Sequence, residues 1–180
     1  MTTPKFANLT AAFISISISI FLFLSSSPAD GATATSLITG TCKQTPDFNL
    51  CVSTLTADPR GPKAAGVQTL ALIIIDAVKA KATTAYADIK RLLKTAPELE
   101  GPLKSCAQQY NVILTAEIPE AEEAVSGGVA KFGEDGMRGS ASDADLCEDG
   151  FVKVKSPLTV ENKVVSGLAA VGAAVIRQLE

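Results

Sequence analysis

The sequence predicts an all-α protein: an up-down-up-down four-helix bundle preceded by a short N-terminal helical hairpin and fastened by two disulfides. Three observations lead there. Apolar residues recur at intervals of three and four from Val67 to the C-terminus, the spacing of a buried helix face. The interruptions at 95 to 102 and 154 to 157 are short, and short connections make neighbouring helices antiparallel. Four cysteines lie downstream of an apolar N-terminal run, the setting in which disulfides form. A length of 180 residues suits one domain and leaves too little chain for two.

The apolar run comes first. Lys5 precedes Ala11 to Leu24, a stretch in which only Ser15, Ser17 and Ser19 are not apolar. A charged start, a short apolar centre and small residues after it make a secretory signal peptide. The run of fourteen residues falls short of the roughly twenty that span a bilayer. Cleavage after Ala34, in Ala32-Thr33-Ala34, makes residues 1–34 the signal and 35–180 the mature chain, with Ala29 as an alternative cut. The removed segment carries Lys5 and Asp30, so the formal charge of -3 is unchanged by its loss.

Residues 35–62 form the expected hairpin, too short for a domain of its own. Cys42 and Cys51 flank "KQTPDFNL", where Thr45-Pro46 reads as a helix start with proline in first position, and Gly61-Pro62 marks the end. Four cysteines allow three pairings, and spacing alone does not choose. Locality favours Cys42 with Cys51, which leaves Cys106 for Cys147. The chain-entropy account then values the long loop at roughly 4 kcal/mol and the short one at about 3. Neither pair has the C-x2-C spacing of a zinc site.

Residues 63–180 hold the four bundle helices. In the first, Val67, Leu70, Ala71, Ile74, Val78, Ala82, Ala85, Ile89, Leu92 and Leu93 make one stripe; "TAPELEGPLK" ends it. In the second, Leu103, Cys106, Ala107, Tyr110, Ile113, Leu114 and Ala121 repeat the period, and Pro119 predicts a kink. Gly127-Gly128 stops that helix, and a loop carrying Lys131 and Phe132 is expected to follow. A shorter third helix is read over Ser142 to Lys153, with Ala144, Cys147 and Phe151 on one side. Ser156-Pro157 reads as an N-cap followed by proline, opening a last helix with Val164, Leu168, Val171, Val175 and Leu179 inward.

Composition excludes several chemistries. A mildly acidic chain with no basic stripe does not suit nucleic acid. The absence of histidine rules out Ser-His-Asp and Cys-His catalysis and histidine-bound zinc. Paired carboxylates occur at Glu120, Glu122 and Glu123 and at Asp143, Asp145, Glu148 and Asp149, but only Tyr86, Tyr110 and three phenylalanines of the mature chain could line a sugar cleft. Such runs are ordinarily solvated helix faces. Asp135-Gly136 and Asp143-Ala144-Asp145 lack the full calcium-loop register. The expectation is a protein that is not an enzyme, with no cofactor and no metal. Tyr86, Tyr110, Phe48 and Phe151 read as packing residues, whereas Phe132 has no core face in any helical register drawn for it.

The order of the pieces is specific. "CKQTPDFNLC", "DPRG", "LALIIIDAVKAKA", "CAQQYNVILTAEIPEAEEAV", "KFGEDGM", a fourth cysteine and "SPLT" closely resemble plant invertase inhibitors, within the invertase and pectin methylesterase inhibitor family, over residues 36 to 179. The resemblance implies a hairpin and four-helix bundle with the first cysteine joined to the second and the third to the fourth. It also implies a Pro-Lys-Phe motif between the second and third bundle helices that enters the cleft of an acid invertase and blocks sucrose. Lys131 and Phe132 match its last two positions, and Ala130 stands where the proline would be. Glu134 and Asp135 are the nearest carboxylates, and without histidine they are the groups on this side that would make binding depend on pH. The expected partner is acid invertase of cell wall or vacuole, bound by a secreted chain that is monomeric when free and touches no membrane after signal cleavage. Inhibition of pectin methylesterase, by the sister branch of the family, is the alternative. A bundle that binds a small apolar ligand, or an inert structural or storage protein, belongs to a different class: an open cavity between the helices would favour it, and a filled core with Phe132 exposed would favour an inhibitor.

Overall fold

A computed structural model describes residues 29 to 180. Of the expected signal peptide, residues 1 to 28 lie outside the described residues, and residues 29 to 34 open the first helix. The helices are α1 (Ala29–Cys42), α2 (Phe48–Ala57), α3 (Val67–Thr95), α4 (Glu100–Val112), α5 (Ile118–Gly127), α6 (Ala130–Asp149) and α7 (Thr159–Ile176). Short 3-10 turns at Gly61–Lys63, Pro97–Leu99 and Arg177–Leu179 complete them, and there is no strand among the described residues.

Helices α4 and α5 are one rod joined by a π turn over Ile113–Glu117. Pro119 explains it. Proline has no N–H to give the carbonyl four residues back, and the widened turn lets the Ile118 N–H reach Ile113, five residues back, instead. The kink expected at Pro119 is therefore a π turn on its N-terminal side.

Around the square, α3 borders the α4–α5 rod and α7, and α6 closes the opposite corner between the rod and α7. All neighbours are antiparallel. Gln68 at the start of α3 donates to the Val125 carbonyl near the end of α5 at 2.8 Å. Cys106 in α4 is bonded to Cys147 near the end of α6. Arg177, just past α7, pairs with Glu134 in the first turns of α6. Leu70, Ile74, Leu103, Ile113, Met137, Val165 and Val171 are buried in one continuous core, so the interior is filled by side chains.

The predicted stripes hold in α3, where Leu70, Ala71, Ile74, Val78, Ala82, Ala85 and Ile89 are buried. Ile73 is buried too, because α2 packs along α3. The hairpin lies on the bundle through Ile38 and Leu55, with Cys42 and Cys51 bonded. Arg60 of "DPRG" pairs with Asp58 at 2.8 Å and with Asp76 of α3 at 2.7 Å, tying the hairpin's exit to the first bundle helix.

Three boundaries differ from expectation. Helix α2 starts after Asp47, whose carboxylate accepts from the Leu50 N–H at 2.9 Å; an N-cap acceptor sets the start more strongly than Pro46 does. Ser156 caps a turn rather than α7, accepting from the Leu158 N–H at 3.0 Å, and α7 begins at Thr159. The third bundle helix is not Ser142 to Lys153 but Ala130–Asp149, and this correction decides the nature of the site.

Candidate functional site

The stretch expected to be a loop is the first turn of α6. Gly128, at φ 76, ends α5 in the left-handed conformation, which glycine adopts without strain. The Val129 N–H then reaches back to the Ala124 carbonyl at 2.8 Å, closing a Schellman-type stop. Only Gly128 and Val129 separate the helices, and α6 opens at Ala130. The first helical position is also where proline is at home, so Ala130 occupies a site that would accept the proline of the related motif.

A helical register sorts the five candidate residues into two faces. Ala130, Gly133, Glu134, Met137, Ser140, Ala144 and Cys147 point inward at intervals of three and four. Lys131, Phe132 and Asp135 point out. Phe132 is 56% exposed and lies over the end of α5, beside a cleft it lines with Glu120, Glu123 and Val129. The Lys131 side chain is 60% exposed, and its ammonium donates to Asp135 at 2.7 Å, an i,i+4 pair. That hydrogen bond holds the Lys131 pKa above its ordinary value, so the side chain carries its charge at any physiological pH.

Glu134 differs from the expectation of a surface carboxylate. It is 3% exposed, because one turn of helix separates it from Ala130 on the core side. Its Oε1 accepts from Arg177 Nε at 2.8 Å and Nη2 at 2.6 Å, and lies 2.8 Å from Arg138 Nη2. Its Oε2 is 4.0 Å from the Lys131 ammonium. The Arg177 hydrogen bonds outweigh burial and hold its pKa below the usual carboxylate range. Lys131, Arg138 and Arg177 thus meet Glu134 and Asp135 in one ion-pair network at this end of α6.

The sequence carries two signals for this cluster, the i,i+4 spacings of Lys131 with Asp135 and of Glu134 with Arg138; nothing local marks Arg177, 43 residues away from Glu134. A second polar cluster lies at the opposite end of α6. There Tyr110 donates to Asn162 at 2.8 Å, and Asn162 and Thr159 donate to Glu148 at 2.7 and 2.6 Å. It is an internal brace between α4, α6 and α7. The four cysteines are all paired, and no group of three or more metal-ligating side chains is placed to hold an ion among the described residues.

A rigid helix end that presents a cation and an aromatic ring is equipped for recognition. Comparison with known proteins agrees with that class. Residues 36–175 match the family model described as plant invertase/pectin methylesterase inhibitor. The chain is 47% identical over 140 residues to "Cell wall / vacuolar inhibitor of fructosidase 1" of Arabidopsis thaliana, covering 78% of this chain and 67% of that protein. In fold it is similar to two solved structures at 19% identity. One is a mutant form of a pectin methylesterase inhibitor from Arabidopsis, with TM-score 0.68 over 77% of this chain and 94% of that one. The other is a pectin methylesterase inhibitor from Arabidopsis thaliana, with TM-score 0.61 over 81% and 97%. With cysteine pairing, bundle and sequence in agreement, this chain belongs to the plant invertase/pectin methylesterase inhibitor family.

Proposed function

We propose that the protein inhibits acid invertase and has no catalytic activity of its own, and that the first turn of α6 is the element that enters the enzyme's substrate cleft. The observation that carries this reading is the pair Lys131 and Phe132, side by side and exposed at a helix start, on a chain 47% identical to a named fructosidase inhibitor. Enzymes that cleave glycosidic bonds use two carboxyl groups, and a permanently charged ammonium finds its counter-charges among them. Phe132 covers apolar surface at the rim, gaining about 2 kcal/mol before ordering costs. Because the pair sits on a helix rather than a loop, little backbone freedom is lost on binding. Ala130 and Glu134 support from beneath, and Asp135 orients Lys131.

The signal peptide expected over residues 1–34 directs the chain out of the cell to the wall, with the vacuole as the other acid compartment where such a target resides. Inhibition assays of the oxidised protein against one acid invertase and one pectin methylesterase test the assignment. Lys131→Glu and Phe132→Ala are each expected to abolish most inhibition of the invertase while leaving helicity and melting temperature nearly unchanged. Full inhibition by Lys131→Glu would remove this turn from the inhibitory surface. Inhibition of the esterase alone would place the chain in the sister branch.

A further inference from the structure

We propose that Arg177 is a positioning residue for the recognition turn: by neutralising the buried carboxylate of Glu134 through its Oε1, it keeps the Lys131 ammonium, 4.0 Å from Oε2, from closing to hydrogen-bonding distance and leaves it available to a carboxylate of the target. The inference rests on the reading of Lys131 as the inhibitory cation. It concerns a residue in the last turn of the chain, outside α6 and outside the stretch matched by the family model, residues 36–175.

The geometry is a competition for one anion. Glu134 Oε1 is taken by two N–H groups of Arg177 and lies against Arg138, while Oε2 stays within 4.0 Å of Lys131. Lys131 instead donates to Asp135, which is half-exposed and easily exchanged for another carboxylate. Both arginine side chains are half exposed, and an ion pair open to water on one side adds little stability, so the pairing of Glu134 fixes orientation more than it strengthens the fold. Arg177 is also well placed to be held still. The next residue, Gln178, donates to the Thr41 carbonyl at 3.1 Å and accepts from Gln44 of the hairpin at 3.3 Å. The 3-10 turn Arg177–Leu179 therefore links the recognition turn to α7 and to the hairpin.

Without Arg177, the carboxylate retains Arg138 and is short of hydrogen-bond donors. Lys131 is the nearest cation able to supply them, and it leaves the surface to do so. The loss of inhibition would then come from capture of Lys131, and removing the charge that captures it should restore inhibition.

The experiment measures inhibition of one acid invertase by the full mature chain and by Arg177→Gln, Arg177→Lys, Glu134→Gln/Arg177→Gln and Lys131→Glu, with a melting temperature for each. Arg177→Gln is expected to weaken inhibition about tenfold, Arg177→Lys to recover most of the loss, and the double variant to return close to the parent. A purely structural Arg177 gives the opposite pattern, with the double variant as weak as or weaker than Arg177→Gln, and that result overturns the proposal. So does parental inhibition by Arg177→Gln while Lys131→Glu is inactive, which leaves the inhibitory turn itself standing. Full inhibition by Lys131→Glu overturns both. The NMR shift of the Lys131 ammonium supplies a readout without enzyme: it should move in Arg177→Gln and return in the double variant, and an unmoved shift in the single variant also overturns the proposal.

Discussion

Two glutamates on facing parts of the bundle have opposite fates. Glu134, at the start of α6, is buried against Arg177 and Arg138, and its pKa is held down. Glu117, at the end of the π turn, is turned against α6 with no cation; its Oε2 is the buried side-chain oxygen without a hydrogen-bond partner among the described residues. Burial first, and then the charge of Asp143 on α6, push its pKa up to about 7, with Glu120 on α5 adding to the rise and the nearby Ser140 hydroxyl opposing it. Burial acts on both carboxylates in the same direction. What separates them is the company: arginines turn a buried carboxylate into a fixed anchor, and their absence turns one into a proton-binding group.

Glycines let α6 approach the π turn that carries Glu117. A Cβ at Gly136 would lie 2.6 Å from the Glu117 backbone carbonyl and 3.4 Å from the Ala121 Cβ. Backbone cannot swing aside as a side-chain end can. Gly136→Ala is expected to cost about 1–3 kcal/mol by overpacking, which lowers the melting temperature by several degrees, at roughly 2–4 °C per kcal/mol for a chain of this size. An unchanged melting temperature would mean that the π turn does not press on α6 in solution, and the explanation of Glu117's burial would fall with it.

The next effect is a pH dependence of stability, and its sign differs for the two groups. Glu117's folded pKa, about 7, lies above the ordinary 4.5, so the folded state binds the extra proton between those values. Stability from this group is full below about 4.5 and declines as pH rises through 7. Glu134 behaves inversely: its depressed pKa gives stability that is full above the ordinary 4.5 and is lost as pH falls through the lower folded value. Near pH 5, both are in the form the fold prefers. Melting curves from pH 5 to 8 should show a decline worth on the order of 1 kcal/mol after discounting for Glu117's partial exposure, and Glu117→Gln should flatten it. A decline that survives in Glu117→Gln would assign the titration to another group.

How much of this was legible depends on where each cause lies along the chain. Helices α3 and α7 could be read directly, because the residues that bury them recur within each helix, as Leu70, Ile74 and Val78 do. The disulfides followed from locality. The start of helix α6 is not legible, because Gly133, Gly136 and Gly139 look like breaks when seen with their sequence neighbours. Their reason lies in other elements: a Cβ at Gly133 would meet Val125 and Ile176, and one at Gly136 the π turn. Once α6 is a helix, the inward turn of Glu134 follows from its register. Lys131 and Phe132 are legible through the resemblance, and Phe132 also through its lack of any core face. Arg177 had no local signal, since its partner is set by how α7 ends beside the start of α6.

Gly139 also faces Glu117, but there the added Cβ would strike the carboxyl end of the side chain rather than the backbone. That end is free to rotate outward, so Gly139→Ala need not move either helix. Replacing glycine inside a helix gains roughly 0.5–1 kcal/mol in propensity, which offsets the packing given up when the carboxyl swings away. The net change in melting temperature at pH 5 should therefore be within a degree or two, about 0.5 kcal/mol. The pH profile should change much more, because a carboxyl turned into water returns toward its ordinary pKa. Gly139→Ala should thus flatten the decline between pH 5 and 8 as Glu117→Gln does, with the carboxylate still present. If the variant keeps the parental profile, the raised pKa does not come from the slot between the π turn and α6, and the contrast with Glu134 would have to rest on the charge of Asp143 instead.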